Sequence, residues 1–281
     1  MKNLTKLTAL TLTAALALTA CGSAAATAPA AESAAGSTAE AASGDLLSEI
    51  QAKGTITVAM EGTWAPWTYH DENDNLVGYD VEVATLIAEK LGVEPEFIEG
   101  EWDGLLAGLD AGRYDIMVNG VDITPERAEK YDFSTPYAFN RTAVITKGDN
   151  DTINSLEDLK DKKTANTISS TYAQLAEQYG ADVTGVDDLN QTFELLNSGR
   201  IDATLNAEVT FYDYTKEHPD ANVKIAVLTQ DANEVAIPLR KGDETATLRE
   251  AINTAIDELR ASGQLKDLSE KYFGTDISSN D

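Results

Sequence analysis

The chain has 281 residues, enough for one large or two ordinary domains and for a buried core that needs no covalent staples. It carries 48 acidic against 21 basic residues, a formal charge of −27, and such a surface repels nucleic acid and anionic lipid. An apolar share of 42% with plentiful periodic segments separates it from acidic disordered chains, and its single cysteine, Cys21, leaves no disulfide within the chain.

The first 20 residues read as a signal peptide. Lys2 and Lys6 supply a positive start, and the apolar run LTALTLTAALALTA from Leu7 to Ala20 is too short and too rich in Ala and Thr for a membrane span. The run ends in LTAC-G, which resembles the lipobox of bacterial lipoproteins. The small residues Thr19 and Ala20 fit a peptidase, and the Cys21 thiol would take the lipid. The alternative is an ordinary secretory signal with an incidental cysteine. Residues 21–44, with GSAAATAPAAESAAGSTAEAASG after the cysteine, are small and polar with nothing to pack, and read as a lipid-anchored flexible linker.

From Asp45 onward strand and helix alternate. TITVAM (55–60) predicts a strand. YDVEVATLIAEKLG (79–92) predicts a helix capped by Asp80 and ended by Gly92, with Val83, Ile87 and Leu91 on one face. EPEFIE (94–99) predicts a strand, WDGLLAGLDAG (102–112) a helix and YDIMVNG (114–120) a buried strand. This alternation implies mostly parallel sheets with helices on their faces. A faint echo links LLAGLDAGRYDIMVN (105–119) to FELLNSGRIDATLN (193–206): Arg113 matches Arg200, Asp115 matches Asp202, and Asn119 matches Asn206. The same helix–turn–strand passage twice suggests two similar lobes. In open α/β sheets ligands bind beyond the carboxyl ends of strands, where Asn119 and Asn206 would sit. NEVAIPLRKGD (233–243) reads as a strand returning to the first lobe. The tail from 243 to 274 is nearly all helical, with Leu248, Ile252, Ile256 and Leu259 as its packing stripe.

Metal and catalytic signatures are weak. His70 and His218 lie in loop-like text, and DENDN (71–75) lacks the spaced carboxylates of a calcium loop and reads as a hairpin turn. There is no phosphate loop and no signal of a Ser/His/Asp triad, so neither a metal nor a cofactor is expected.

The stretches GYDVEVATLIAEKLG, WDGLLAGLDAGRYDIMVNGVDITPERAEKYDFSTPY, NSGRIDATLN and LRASGQLKDLSEKYFG together resemble the extracellular solute-binding proteins of polar amino-acid ABC transporters, with ITPER…YDFSTPY the most specific. The resemblance covers about residues 46–275, and ANTISSTYAQLAEQYGA is similar to a branch associated with cystine uptake. It implies a type II periplasmic-binding-protein fold: two α/β lobes joined by two crossover strands, with the ligand in the cleft. Residues 45–142 plus 236–281 would form lobe one and 143–235 lobe two, with hinges in AFNRTAVITK and NEVAIPL. It also implies a free amino-acid ligand, an ABC permease partner, a monomeric protein on the extracytoplasmic face of the cell membrane, and no enzymatic activity.

The resemblance also assigns site residues. A buried ligand charge needs a partner, and a carboxylate suits an arginine fork. Arg127 matches the family's carboxylate arginine; the alternative is a surface ion pair on the helical PERAEK. Asn119, Gly120 and Asp122 match the wall beside it, Gly120 offering only its backbone. Ser170 and Thr171, at a helix start with free N–H groups, match the second lobe's carboxylate contacts, and Asn206 is the strand-end residue of that lobe. Trp64 and Trp102 match apolar walls against the ligand side chain, Trp67 is structural, and Glu61 matches a floor position for a polar or cationic group. The acid that holds the ammonium in much of the family is replaced here by Ala207. Asp122, where relatives often carry a hydroxyl, is the expected substitute, with Glu61 and Glu208 in reserve. Otherwise Asp122 is a turn acid that caps the helix of Arg127. Two other classes are open on this fold. One is a periplasmic dehydratase with Glu61 or Asp122 as general acid. The other is a sensory module, which usually comes with a membrane span and a signalling domain.

Overall fold

The structure, a computed structural model, describes residues 44–280; the leader, Cys21 and all of the linker but Gly44 lie outside the described residues. The apolar strand Thr55–Met60 is the centre of a three-stranded parallel sheet, paired on one side with Glu94–Glu99 and on the other with Ile116–Met117. Regular pairing in the predicted strand 114–120 is thus limited to two residues, although the Asp115 and Val118 N–H groups still donate to the carbonyls of Thr57 and Ala59. Helix Tyr79–Leu91 buries Tyr79, Val83, Ile87 and Leu91 against this sheet and ends on Gly92 in the left-handed conformation. Its first residue follows Gly78, so Asp80 does not cap it. Asp80 lies within the first turn, fully buried, and is used elsewhere.

The second sheet has five strands, in the order Asp182–Gly185, Lys163–Asn166, Ala203–Ala207, Thr142–Lys147 and Val223–Leu228. The first three run parallel and the last two antiparallel to their neighbours, so this sheet is mixed where the sheet around Thr55–Met60 is wholly parallel. The antiparallel turn has a topological cause: the chain enters this sheet on a crossing strand and leaves it by another. Ala138–Asn140 pairs with Asn233–Val235, and Tyr131–Phe133 with Pro238–Arg240, giving two short ribbons that carry the chain out and back. After the return, helices Ala246–Ala261 and Gln264–Phe273 bury Leu248, Ile252, Ile256, Leu259 and Leu265 in the core of the first lobe. The apolar stripe of the tail is therefore packing surface of this domain. These two α/β lobes with paired crossovers are the type II binding-protein architecture.

Candidate functional site

Arg127 is on the short helix Pro125–Lys130. Thr124 caps that helix, its hydroxyl accepting the Arg127 N–H at 3.1 Å, so Asp122 is not the cap. The Arg127 side chain is buried and forms no ion pair among the described residues. Nη1 donates to the Asp122 carbonyl at 3.0 Å, Nη2 donates to the Ser169 carbonyl at 3.4 Å, and the guanidinium lies 5.4 Å from the Trp102 ring centroid. Two backbone acceptors and an aromatic face hold the fork in place while leaving donors free. Burial lowers its pKa, opposed by the charge of Asp122. The surface ion-pair alternative is excluded by this burial.

The guanidinium faces a narrow cleft cavity between the lobes, about 50 Å³ in volume. Glu61, Trp64, Trp102, Gly120 and Asp122 line it from the first lobe, and Ser170, Thr171 and Asn206 from the second. Asn119 is the exception. It is fully buried behind the wall, where its Oδ1 accepts the Glu61 N–H at 2.7 Å and its Nδ2 donates to Glu61 Oε2 at 2.7 Å. It orients Glu61 and does not line the cavity. Gly120 does line it, but its N–H donates to Asp80 Oδ2 at 2.6 Å, so the backbone donor expected for a ligand is already engaged. Its φ of 55° and a Cβ position 2.5 Å from the Trp64 ring both require glycine here.

Asp80, assigned from sequence to a helix cap, instead sits beneath the site. Its second oxygen accepts the Tyr137 hydroxyl at 2.8 Å, and burial pushes its pKa up to about 7 against those two hydrogen bonds. Asp122 is buried at the crossover. Its Oδ2 accepts the Thr171 hydroxyl at 2.6 Å and the Asn233 amide at 3.2 Å. Its Oδ1 has no protein partner among the described residues. Burial raises its pKa, with Thr171 and Arg127 opposing. Glu208, the reserve acid, is taken by Arg141 with contacts of 2.9 and 3.0 Å and does not line the cavity. Ser170 caps helix Thr171–Gln178, accepting the Ala173 N–H at 3.1 Å, and Ser170, Thr171 and Tyr172 at that helix start line the cavity.

The walls are aromatic. Trp64 stacks on the fully buried Trp67 at 5.2 Å, and its Nε1 donates across the cleft to Asn206 Oδ1 at 3.2 Å. At the same cavity lie residues that the sequence did not single out: Asn166, Tyr172, Asp188, Leu189 and Thr192. Asn166 stands at the carboxyl end of strand Lys163–Asn166, a position the strand-end rule would have flagged. Asp188 caps helix Leu189–Asn197 through Gln191 N–H at 3.0 Å, which a capping search would have found without revealing that it faces Glu61. Burial pushes the Glu61 pKa up to about 7, Asn119 opposes, and the charges of Asp188 and Asp103 add to the rise.

Comparison with known proteins agrees with this geometry. The family model of bacterial extracellular solute-binding proteins, family 3, matches residues 56–275. The L-cystine-binding protein TcyA of Bacillus subtilis is 41% identical over 236 residues, covering 84% of this chain and 87% of that protein. An ancestral arginine-binding protein bound to arginine superposes with a TM-score of 0.74 at 39% identity, over 79% of this chain and 99% of its own. The L-cystine solute receptor of Neisseria gonorrhoeae in the unliganded open conformation gives a TM-score of 0.58 at 42% identity, over 84% of this chain and 100% of its own. The chain belongs to the bacterial extracellular solute-binding proteins of family 3, the family that the ITPER and YDFSTPY motifs indicated.

Proposed function

We propose that the protein captures a free amino acid in the cleft and delivers it to an ABC permease. The observation that carries this reading is the convergence of the unpaired Arg127 fork, the first turn of helix Thr171–Gln178 and the open oxygen of Asp122 on one cavity between two hinged lobes. The α-carboxylate would take the Arg127 donors and the helix N–H groups, and the α-ammonium would take Asp122 Oδ1. The ligand chain would lie between Trp64 and Trp102. Lobe one would comprise 45–142 plus 236–281 and lobe two 143–235, closing as a hinge. A thermal-shift screen of the twenty amino acids, cystine and ornithine tests this. A ligand at a hundred times its Kd stabilises by about 2.7 kcal/mol, and no shift with any of them would overturn the reading.

The far end of the cavity narrows the ligand class. Arg127 is the one cationic side chain among the lining residues, against the carboxylates of Glu61, Asp122 and Asp188. Once the ligand carboxylate meets Arg127 and its ammonium meets Asp122, Glu61 and Asp188 still face the ligand tip. This favours a second cationic nitrogen, either the second ammonium of cystine, consistent with TcyA, or a basic side chain, consistent with the arginine-bound relative. No turnover is required by this arrangement. Glu61 or Asp122 acting as general acid in a dehydratase would be revealed by turnover of prephenate or arogenate, followed by the absorbance of the aromatic product.

We further infer a lipid anchor at Cys21 that holds a monomer at the extracytoplasmic face, supported by LTAC at the end of the apolar run. In the native host Cys21→Ala should release the protein or leave its signal uncleaved. Unchanged membrane attachment with an unchanged mature mass would remove the anchor from the account.

A further inference from the structure

Asp103, in the first turn of helix Trp102–Asp110, belongs to the first lobe, is exposed, and is not among the cavity-lining residues. Its Oδ1 nevertheless accepts two hydrogen bonds from one residue of the second lobe: the Ser169 hydroxyl at 2.6 Å and the Ser169 N–H at 3.0 Å. Several other hydrogen bonds between the lobes involve residues that line the cavity, and the Arg141–Glu208 pair joins the lobes at the crossover. Thr171 donates to Asp122, Trp64 donates to Asn206, and Arg127 donates to the Ser169 carbonyl. Those groups face the ligand, so their bonds change when it enters. The bonds between Asp103 and Ser169 stand clear of it.

We propose that Asp103 and Ser169 form a closure clasp, a positioning pair that raises ligand affinity by holding the two lobes together without touching the ligand. This rests on the reading of the cleft as an amino-acid site. Opening the cleft breaks both bonds at once, so the clasp contributes only to the closed arrangement. A ligand that needs that arrangement binds with an apparent Kd equal to its intrinsic Kd divided by the closed fraction, and the clasp acts on that fraction. The pair also fixes the segment that the ligand meets. Ser169 is engaged at its N–H and hydroxyl by Asp103 and at its carbonyl by Arg127, and the next residue, Ser170, caps the helix whose first residues line the cavity. The structure as a whole is closer to the arginine-bound relative than to the unliganded open one, although the latter is more similar in sequence.

Three variants separate a clasp from a charge acting at a distance. Asp103→Ala removes both bonds and the charge. Asp103→Asn removes the charge and keeps an oxygen acceptor. Ser169→Ala removes the hydroxyl bond and keeps the N–H bond. Titration with L-cystine and with L-arginine, together with stopped-flow dissociation, should show Asp103→Ala weakening binding about three- to thirtyfold, mostly through faster release, and by the same factor for each amino acid bound. Ser169→Ala should lose less, and Asp103→Asn should stay closest to wild type. Small-angle scattering without ligand should show a larger radius of gyration for Asp103→Ala at an unchanged melting temperature. Wild-type affinity in Asp103→Ala, equal losses in the Asn and Ala variants, or an unchanged radius would each overturn the clasp. The scattering measurement needs no ligand, so it tests the clasp even if neither amino acid binds the wild type, an outcome that would count instead against the assigned site.

Discussion

The passages 105–119 and 193–206 share a sequence pattern, and from the helix through the glycine turn to the aspartate that follows they share a structure. Each helix ends at a glycine in the left-handed conformation, Gly112 at φ 65° and Gly199 at φ 70°. Each subsequent aspartate ties its strand to the parallel neighbour. Asp115 accepts the Thr57 N–H at 2.8 Å and donates its own N–H to the Thr57 carbonyl at 3.1 Å. Asp202 makes the same pair of bonds with Lys163, both at 2.8 Å. The two asparagines then part. Asn119 turns inward and secures Glu61 within its own lobe, whereas Asn206 accepts the Trp64 indole from the opposite lobe. The difference lies in the residues that come next in the chain. After Asn119 the backbone turns on Gly120 beneath Trp64 toward Asp122; after Asn206 comes Ala207, and helix Glu208–Glu217 begins at once. Repetition here specifies scaffold, and the residues just beyond the strand ends specify recognition.

The sharpest way to break this asymmetry is at the groups that only the first lobe has. Arg127→Ala should weaken amino-acid binding about a hundredfold or more, because bonds to a charged group contribute about 1.5–3 kcal/mol each and about 1.4 kcal/mol is tenfold. Near-native affinity by calorimetry would place the carboxylate elsewhere. Asp122→Asn, which keeps the shape and removes the charge, should cost about 1–3 kcal/mol of binding. The ligand's deamino analogue should bind wild type poorly and this variant no worse. Independence of the two changes in a mutant cycle would move the ammonium to another acid, Glu61 first.

Smaller effects should divide the two asparagines. Asn119→Ala removes partners from a buried backbone donor and a largely desolvated carboxylate, and should lower unfolding stability by about 1–3 kcal/mol in denaturant titration. Asn206→Ala should leave stability nearly unchanged and weaken ligand binding by a lesser factor. If the two losses were exchanged, the contrast drawn between the lobes would be wrong. The slightest effect is a pH slope. Glu61 and Asp80 each have a folded pKa of about 7, above their ordinary values, so between those values and 7 the folded protein binds more protons than the unfolded chain. The contribution of these two groups to stability is therefore greatest below the ordinary carboxylate range and falls as pH rises toward 7. Glu61→Gln should flatten that fall between pH 5 and 7.5, and an unchanged slope would remove Glu61 from it and leave the fall to Asp80 and the other groups whose pKa is raised, Asp122 among them.

Local signals carry well from sequence to structure. The period of Val83, Ile87 and Leu91, the glycine at 92 and the serine before helix Thr171–Gln178 depend on neighbours within a few residues, and each appears where the sequence puts it. Resemblance assigns Arg127 to a ligand carboxylate, and the structure adds that its side chain is buried at the cavity, which no spacing supplies. The hidden features required two distant segments to meet. The Asp80 carboxylate looks like a cap until Gly120 and Tyr137 are folded onto it. Asn119 and Asn206 are indistinguishable as text. Asp188 is an ordinary N-cap until the second lobe brings it opposite Glu61.

The chain has three tryptophans, and all of them belong to the cleft: Trp64 and Trp102 in its walls and Trp67 stacked directly behind. Tryptophan emission from this protein therefore arises at the walls and backing of one cleft. Since the Trp64 indole is bonded to Asn206 on the opposite side, separating the lobes would give that ring to water and shift its emission to the red. The molecule carries its own optical gauge of how far it has opened, and capture and release can be watched in real time without attaching a dye.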